Sequence, residues 1–162
     1  KIVLEGWSVE RINKELATLN RKPLYPRILV LTMVALAGAS FCRLLGGDFV
    51  EMLACFVASF AGLFVRQEAM KLKFNFYLCV FFASATAALV SGFYFFFNPT
   101  LTYIHAFSTS VLFLIPGVPM MNSFSDLIDG NILNGITRGV NVLIIAFAIA
   151  LGLLMGLLIY NF

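Results

Sequence analysis

Two aspartates and an arginine close behind a pair of prolines are the part of this sequence best suited to handle a polar solute. Residues 115–139 read IPGVPMMNSFSDLIDGNILNGITRG. Pro116 and Pro119 each remove a backbone donor and bend the chain. An unwound backbone between helix ends offers free amides to a carboxylate and free carbonyls to a cation. Asp126 and Asp129 stand three apart and share a helix face if residues 122–134 are helical. The expected solute site is therefore Pro116, Gly117, Pro119, Asn122, Ser123, Asp126 and Arg138. Freed amides or Arg138 would take a carboxylate, and Asp126 an ammonium group.

A second charged group lies at Arg43, Asp48 and Glu51. Asp48 is placed to cap a helix, because negative groups favour helix N-termini. Glu51 lies one turn deeper and, with Asp126, is a candidate proton carrier; Arg43 can pair with either acid of its own group. Ionisable groups at membrane depth cost roughly 2.5–3.5 kcal/mol each on insertion scales, so each needs a reason to be there. Metal-ligand spacing is missing from the three cysteines (Cys42, Cys55, Cys79), and His105 is the single histidine. The chain has no H-E-x-x-H, no nucleophile elbow and no Walker loop. Neither an enzyme nor a cofactor is expected.

The elements that must hold these residues are transmembrane helices. Of 162 residues, 61% are apolar and 12% are charged, whereas a soluble domain carries about one quarter charged residues. Apolar runs predict spans at 26–45, 49–65, 76–97 and 140–160. A fourth stretch, 103–121, contains the prolines and reads as a broken helix: a short membrane half, an unwound PGVP segment, then an amphipathic half over 122–139. Residues 8–20 read as an amphipathic surface helix with Ser8 as its cap, outside which Trp7 falls. Gly152 with Gly156, and Ala35 with Ala39, have the four-residue spacing of close helix packing.

Six of the eleven Lys and Arg residues lie in the first 27 positions, and Arg66, Lys71 and Lys73 follow the second span. With five spans and a cytoplasmic N-terminus, every basic-rich loop is inside. The basic excess thus reads as topology, and no nucleic-acid partner is expected. The expected fold is an all-α polytopic membrane helix bundle of about five transmembrane helices with a broken fourth. Residues 1–25 form a cytoplasmic amphipathic segment, and 26–162 the transmembrane domain. The charged, helix-like start without Met suggests the end of a longer N-terminal region.

Three blocks, GASFCRLLGGD (38–48), FVRQE (64–68) and above all residues 115–139, resemble the bacterial threonine/serine exporter (ThrE-like) family, nearest its N-terminal half as in the separate YjjP-type subunit. The resemblance covers about residues 8–162. It implies export of small amino acids such as threonine and serine across the bacterial inner membrane. It also implies a second hydrophobic half, fused or separate (YjjB-type), with a homo-oligomer as the other arrangement. The positions matching the family pattern are Pro116, Gly117, Pro119, Asn122, Asp126, Gly130, Gly135 and Arg138, of which Gly130 and Gly135 are assigned structural roles beside Arg43 and Asp48. The split subunits of the family are linked to succinate export, so a dicarboxylate exporter is an alternative; it requires Arg43 and Arg138 both to face the cavity. A non-transporting scaffold subunit is a further alternative, and requires Asp126, Glu51 and Arg138 to be paired off in a dry interior.

Overall fold

The structure is a computed structural model that describes Glu10, residues 25–96 and residues 104–160. Trp7 and, apart from Glu10, the surface helix expected at 8–20 lie outside the described residues. The chain forms two compact units, Lys1–Val30 and Leu31–Phe162. In the first, Glu10 is helical and exposed, and a helix starts at Arg27, where the Pro26 carbonyl accepts the Leu29 and Val30 amides.

Among the described residues every regular element is a helix: α1 (Arg27–Leu44), α2 (Phe49–Lys71), α3 (Phe76–Phe96), α4 (Ile104–Thr109), a 3-10 turn (Leu112–Leu114), α5 (Gly117–Ile128) and α6 (Ile132–Tyr160). Lipid offers no partner for peptide groups, so the chain must bond its own backbone, and helices do this within one segment. The ends are closed in the same economical way. Gly46 donates to the Arg43 carbonyl and Gly47 to that of Cys42; Lys73 donates to Met70 and Phe74 to Ala69; Gly130 donates to Leu127 and Asn131 to Asp126. Each end is a Schellman motif, with its closing residue left-handed: Gly46 at φ 98°, Lys73 at φ 59° and Gly130 at φ 82°.

Three boundaries differ from the sequence expectation. Helix α2 continues past residue 65 to Lys71, because Gln67, Glu68, Ala69 and Met70 are good helix formers and Lys71 Nζ pairs with Glu68 Oε1 at 3.1 Å. The break in the fourth span lies at residues 110–116, just ahead of the expected unwound PGVP. Pro116 is the N-cap of α5, and Gly117, Val118 and Pro119 form its first turn. A proline there costs little, since first-turn amides have no partner inside the helix anyway. Finally, the expected amphipathic half over 122–139 is divided. Its first part belongs to α5, a turn at 129–131 follows, and its second part is the start of α6.

Helix α3 packs along both α2 and α6, and α5 packs on α6. Small residues allow the close approach. A Cβ added at Gly152 would lie 2.6 Å from Ser84 Cβ, one at Gly156 2.6 Å from Ala88 Cβ, and one at Gly62 2.9 Å from the Ala83 carbonyl. Ser84 Oγ donates to the Ile149 carbonyl at 2.7 Å, and the Tyr160 hydroxyl to that of Leu89 at 2.7 Å. The Gly152/Gly156 pair is thus a packing surface, and Ala35 and Ala39 are likewise buried.

The register of these contacts fixes the number of crossings. Tyr77 meets Asn141, Ser84 meets Ile149, Ala88 meets Gly156 and Leu89 meets Tyr160, so α3 and α6 run parallel. The contacts between α5 and α6 run the other way, Ser123 with Gly139 and Leu127 with Gly135, so they form an antiparallel hairpin. Between the end of α3 and the start of α6 the chain must therefore recross the layer, and α4 to α5 is the part that does so. Their axes bend by 63° at the break, and this broken span is the fifth crossing beside α1, α2, α3 and α6. The molecule is a multi-pass membrane protein. Arg66, Lys71 and Lys73 lie where α2 meets α3, so the end that α2–α3 shares with the α5–α6 turn is the one that carries these basic residues.

Candidate functional site

Helix α6 has 29 residues, about 44 Å at 1.5 Å per residue, against a hydrocarbon core of about 30 Å. Its uncharged apolar part begins at Val140, so its first two turns extend beyond that part at the end of the bundle where α2 meets α3. These turns carry Asn134 and Arg138, followed by Asn141, a polar stripe at helical spacing. Across the hairpin, Asp126 Oδ2 is buried and lies 2.8 Å from Arg138 Nη1, without an aligned hydrogen bond. The Asp126 side chain is 20% exposed and that of Arg138 52%.

The surroundings hold this pair in place. The Asp126 carbonyl accepts the Asn131 amide at 2.8 Å and so closes α5. Buried Ser123 donates to the Gly135 carbonyl at 2.7 Å. A Cβ at Gly135 would lie 2.6 Å from Leu127 Cγ, so no larger residue fits without moving α5. Asp129 lies just past the end of α5, and its carboxylate faces Ser125 Oγ at 3.5 Å; it does not continue a helical face with Asp126. Asn122 is exposed one turn before Asp126. Pro116, Gly117 and Pro119 line the start of the same helix. An apolar groove of about 290 Å³ runs beside the pair, between Met120, Phe124 and Leu127 on α5 and Val142 and Leu143 on α6.

The second charged group is assembled differently. Arg43 Nη1 donates to the Gly47 carbonyl at 3.1 Å, and among the described residues it makes no ion pair with Asp48 or Glu51. Asp48 is the N-cap of α2, and its amide donates to Glu51 Oε2 at 3.0 Å. Glu51 is only 3% exposed, and its other oxygen, Oε1, is buried without a hydrogen-bond partner among the described residues. Arg43 and Arg138 belong to opposite ends of the bundle, so within this chain they do not face one cavity.

Sequence reasoning missed a buried polar cluster beside Glu51. Glu51, Cys55 and Ser59 are four residues apart and form one buried stripe of α2. Cys55 Sγ lies 3.2 Å from Thr109 Oγ1 and 3.8 Å from Ser59 Oγ. Ser59 Oγ donates to the Ser110 carbonyl at 3.1 Å, and Thr109 Oγ1 to that of His105 at 2.6 Å. The i, i+4, i+8 spacing on α2 was available as a signal; its partners, more than fifty residues on, were not. Tyr77, which donates to Asn141 Oδ1 at 2.7 Å, was missed for the same reason.

The comparisons with known proteins agree with this architecture. The family model described as "Putative threonine/serine exporter" (ThrE) matches residues 1–160. The chain is 33% identical over 142 residues to the "Probable succinate transporter subunit YjjP" of Escherichia coli (strain K12), covering 85% of this chain and 54% of the relative. It is 32% identical over 146 residues to the protein of the same description from Klebsiella aerogenes, covering 86% and 55%. The chain spans about half the length of the curated relatives it matches. No solved structure matches it.

Proposed function

Since the chain belongs to the threonine/serine exporter family, we propose that it is one half of a secondary transporter exporting small amino acids such as threonine and serine, driven by the proton gradient, in the bacterial inner membrane. The observation that carries this reading is the Asp126–Arg138 pair at 2.8 Å on the hairpin that follows the broken span. An amino acid is a zwitterion, and an acid beside a base is its complement. Without solute the two side chains neutralise each other; with solute, Arg138 takes the carboxylate and Asp126 the ammonium. Charge is balanced in both states, so neither leaves an uncompensated ion at the edge of the membrane. Either Glu51 or Asp126 exchanges the driving proton.

A second half, as a YjjB-type chain or another copy, completes the unit. Large exposed residues such as Phe124, Leu143 and Phe147 leave an apolar face that lipid or such a half would cover. The description of the relatives as succinate transporter subunits supports a second reading, a dicarboxylate exporter. In it Arg138 takes one carboxylate and a cation from the second half takes the other.

Counterflow in vesicles, with and without a co-expressed second subunit, separates these readings. If the solute is an amino acid, Asp126→Asn and Arg138→Gln each abolish threonine counterflow. If it is a dicarboxylate, Asp126→Asn leaves succinate counterflow intact and Arg138→Gln abolishes it. Unchanged flux in both variants refutes the site.

A further inference from the structure

The two candidate acids differ in what surrounds them. Asp126 has a cation at 2.8 Å, so ionisation leaves a neutral pair. Glu51 is more deeply buried, and no cation pairs with it among the described residues. One of its oxygens accepts the Asp48 amide; the other has no hydrogen-bond partner among the described residues. A buried, unpaired carboxylate is among the costliest groups a membrane protein can hold, and the cost disappears when a proton occupies the free oxygen.

The remaining groups near Glu51 do not supply another occupant. Among the described residues, the titratable and charged groups at this end of the elements packed with α2 are Cys42 and Arg43 from the end of α1, Asp48 and Cys55 on α2 itself, and His105 on α4. The Cys42 thiol and the Glu51 carboxyl both border the space beside Gly47, where an added Cβ would lie 2.6 Å from Cys42 Sγ and 3.1 Å from Glu51 Oε2. Arg43 is engaged by the Gly47 carbonyl. A hard metal cation needs about six oxygen ligands, and thiols are poor ones. The site thus suits a proton and not sodium. Glu51 lies in the first turn of α2, at the end opposite the basic α2–α3 turn, and so near the outer face.

Resting on the exporter reading above, we propose that Glu51, and not Asp126, binds the coupling proton, and that it loads from the outer side. The link to the solute side is the broken span. Cys55 and Ser59, the next two positions on the same stripe, hold Thr109 and Ser110 at the upper edge of the break. Thus the acid that gains charge on losing its proton shares a helix face with the grip on α4.

The test reads the proton directly. Infrared difference spectra of the purified chain, recorded across a pH titration, show a carboxylic C=O band that appears on acidification and is insensitive to sodium. This band persists in Asp126→Asn, is lost in Glu51→Gln, and returns at a shifted frequency in Glu51→Asp, with helix content checked by circular dichroism. In vesicles, Glu51→Gln loses accumulation driven by a proton gradient. A band that survives Glu51→Gln or disappears in Asp126→Asn overturns the assignment, as does gradient-driven accumulation retained by Glu51→Gln. Wild-type protein that shows no counterflow even with the co-expressed second subunit refutes the exporter reading alone, because the infrared result still decides the seat of the proton.

Discussion

At the scale of single residues, burial and partner together decide what each polar group does. Ser123 and Ser59 each lie in the interior and each donate to the carbonyl of a neighbouring segment, so they act as fasteners. Ser123→Ala leaves the Gly135 carbonyl without that donor and is expected to destabilise the α5–α6 hairpin by about 1–3 kcal/mol. Reversible unfolding in mixed micelles measures it. Lys73 presents the opposite case. It takes a left-handed conformation at φ 59°, a position where an L side chain costs about 1–2 kcal/mol relative to glycine. Lys73→Gly should raise the unfolding midpoint, with the change showing in the same assay. The types of these residues were visible in the sequence, but their partners were not. Ser123 could be read as a solute ligand because nothing in its neighbourhood announces that Gly135 lies across the turn.

At the scale of elements, hydropathy carried most of the information, since lipid demands long uninterrupted apolar helices. The spans expected at 26–45 and 76–97 correspond to α1 and α3 within a residue or two over the described residues. The broken span was also legible, because two prolines three apart cannot sit inside one straight helix. Its location was shifted because proline is tolerated in a first helical turn, so Pro116 and Pro119 mark the start of α5 and not the middle of the gap. Helix pairing is the element property most open to test. A leucine at Gly156 would drive atoms into Ala88, where even a Cβ would be 2.6 Å from Ala88 Cβ. Gly156→Leu is expected to separate α3 from α6 at a cost of about 1–3 kcal/mol, while Leu158→Ala, at an exposed position, leaves stability near wild type. Comparing the two midpoints checks that the loss comes from packing.

At the scale of the whole molecule, the parallel run of α3 and α6 requires five crossings, which leaves the α1–α2 turn and the α5–α6 turn on opposite faces. In cells, a membrane-impermeant maleimide should label Leu45→Cys from outside and Asn131→Cys only after permeabilisation; labelling of both from one side contradicts the arrangement. The three native cysteines are buried and should stay silent.

The two pieces of the broken span are fastened to different neighbours. The end of α4 is held by α2 through Cys55 and Ser59, and α5 is held by α6 through Ser123, Asp126 and Arg138. The division holds for these polar fastenings and not for all packing, since Phe107 of α4 also lies beside Gly156 of α6. A change in the spacing of α2 and α6 would load residues 110–116, as play in a joint between two arms. A bridge stiffening that joint, and leaving every charged side chain in place, would stall the cycle with solute and proton still able to bind.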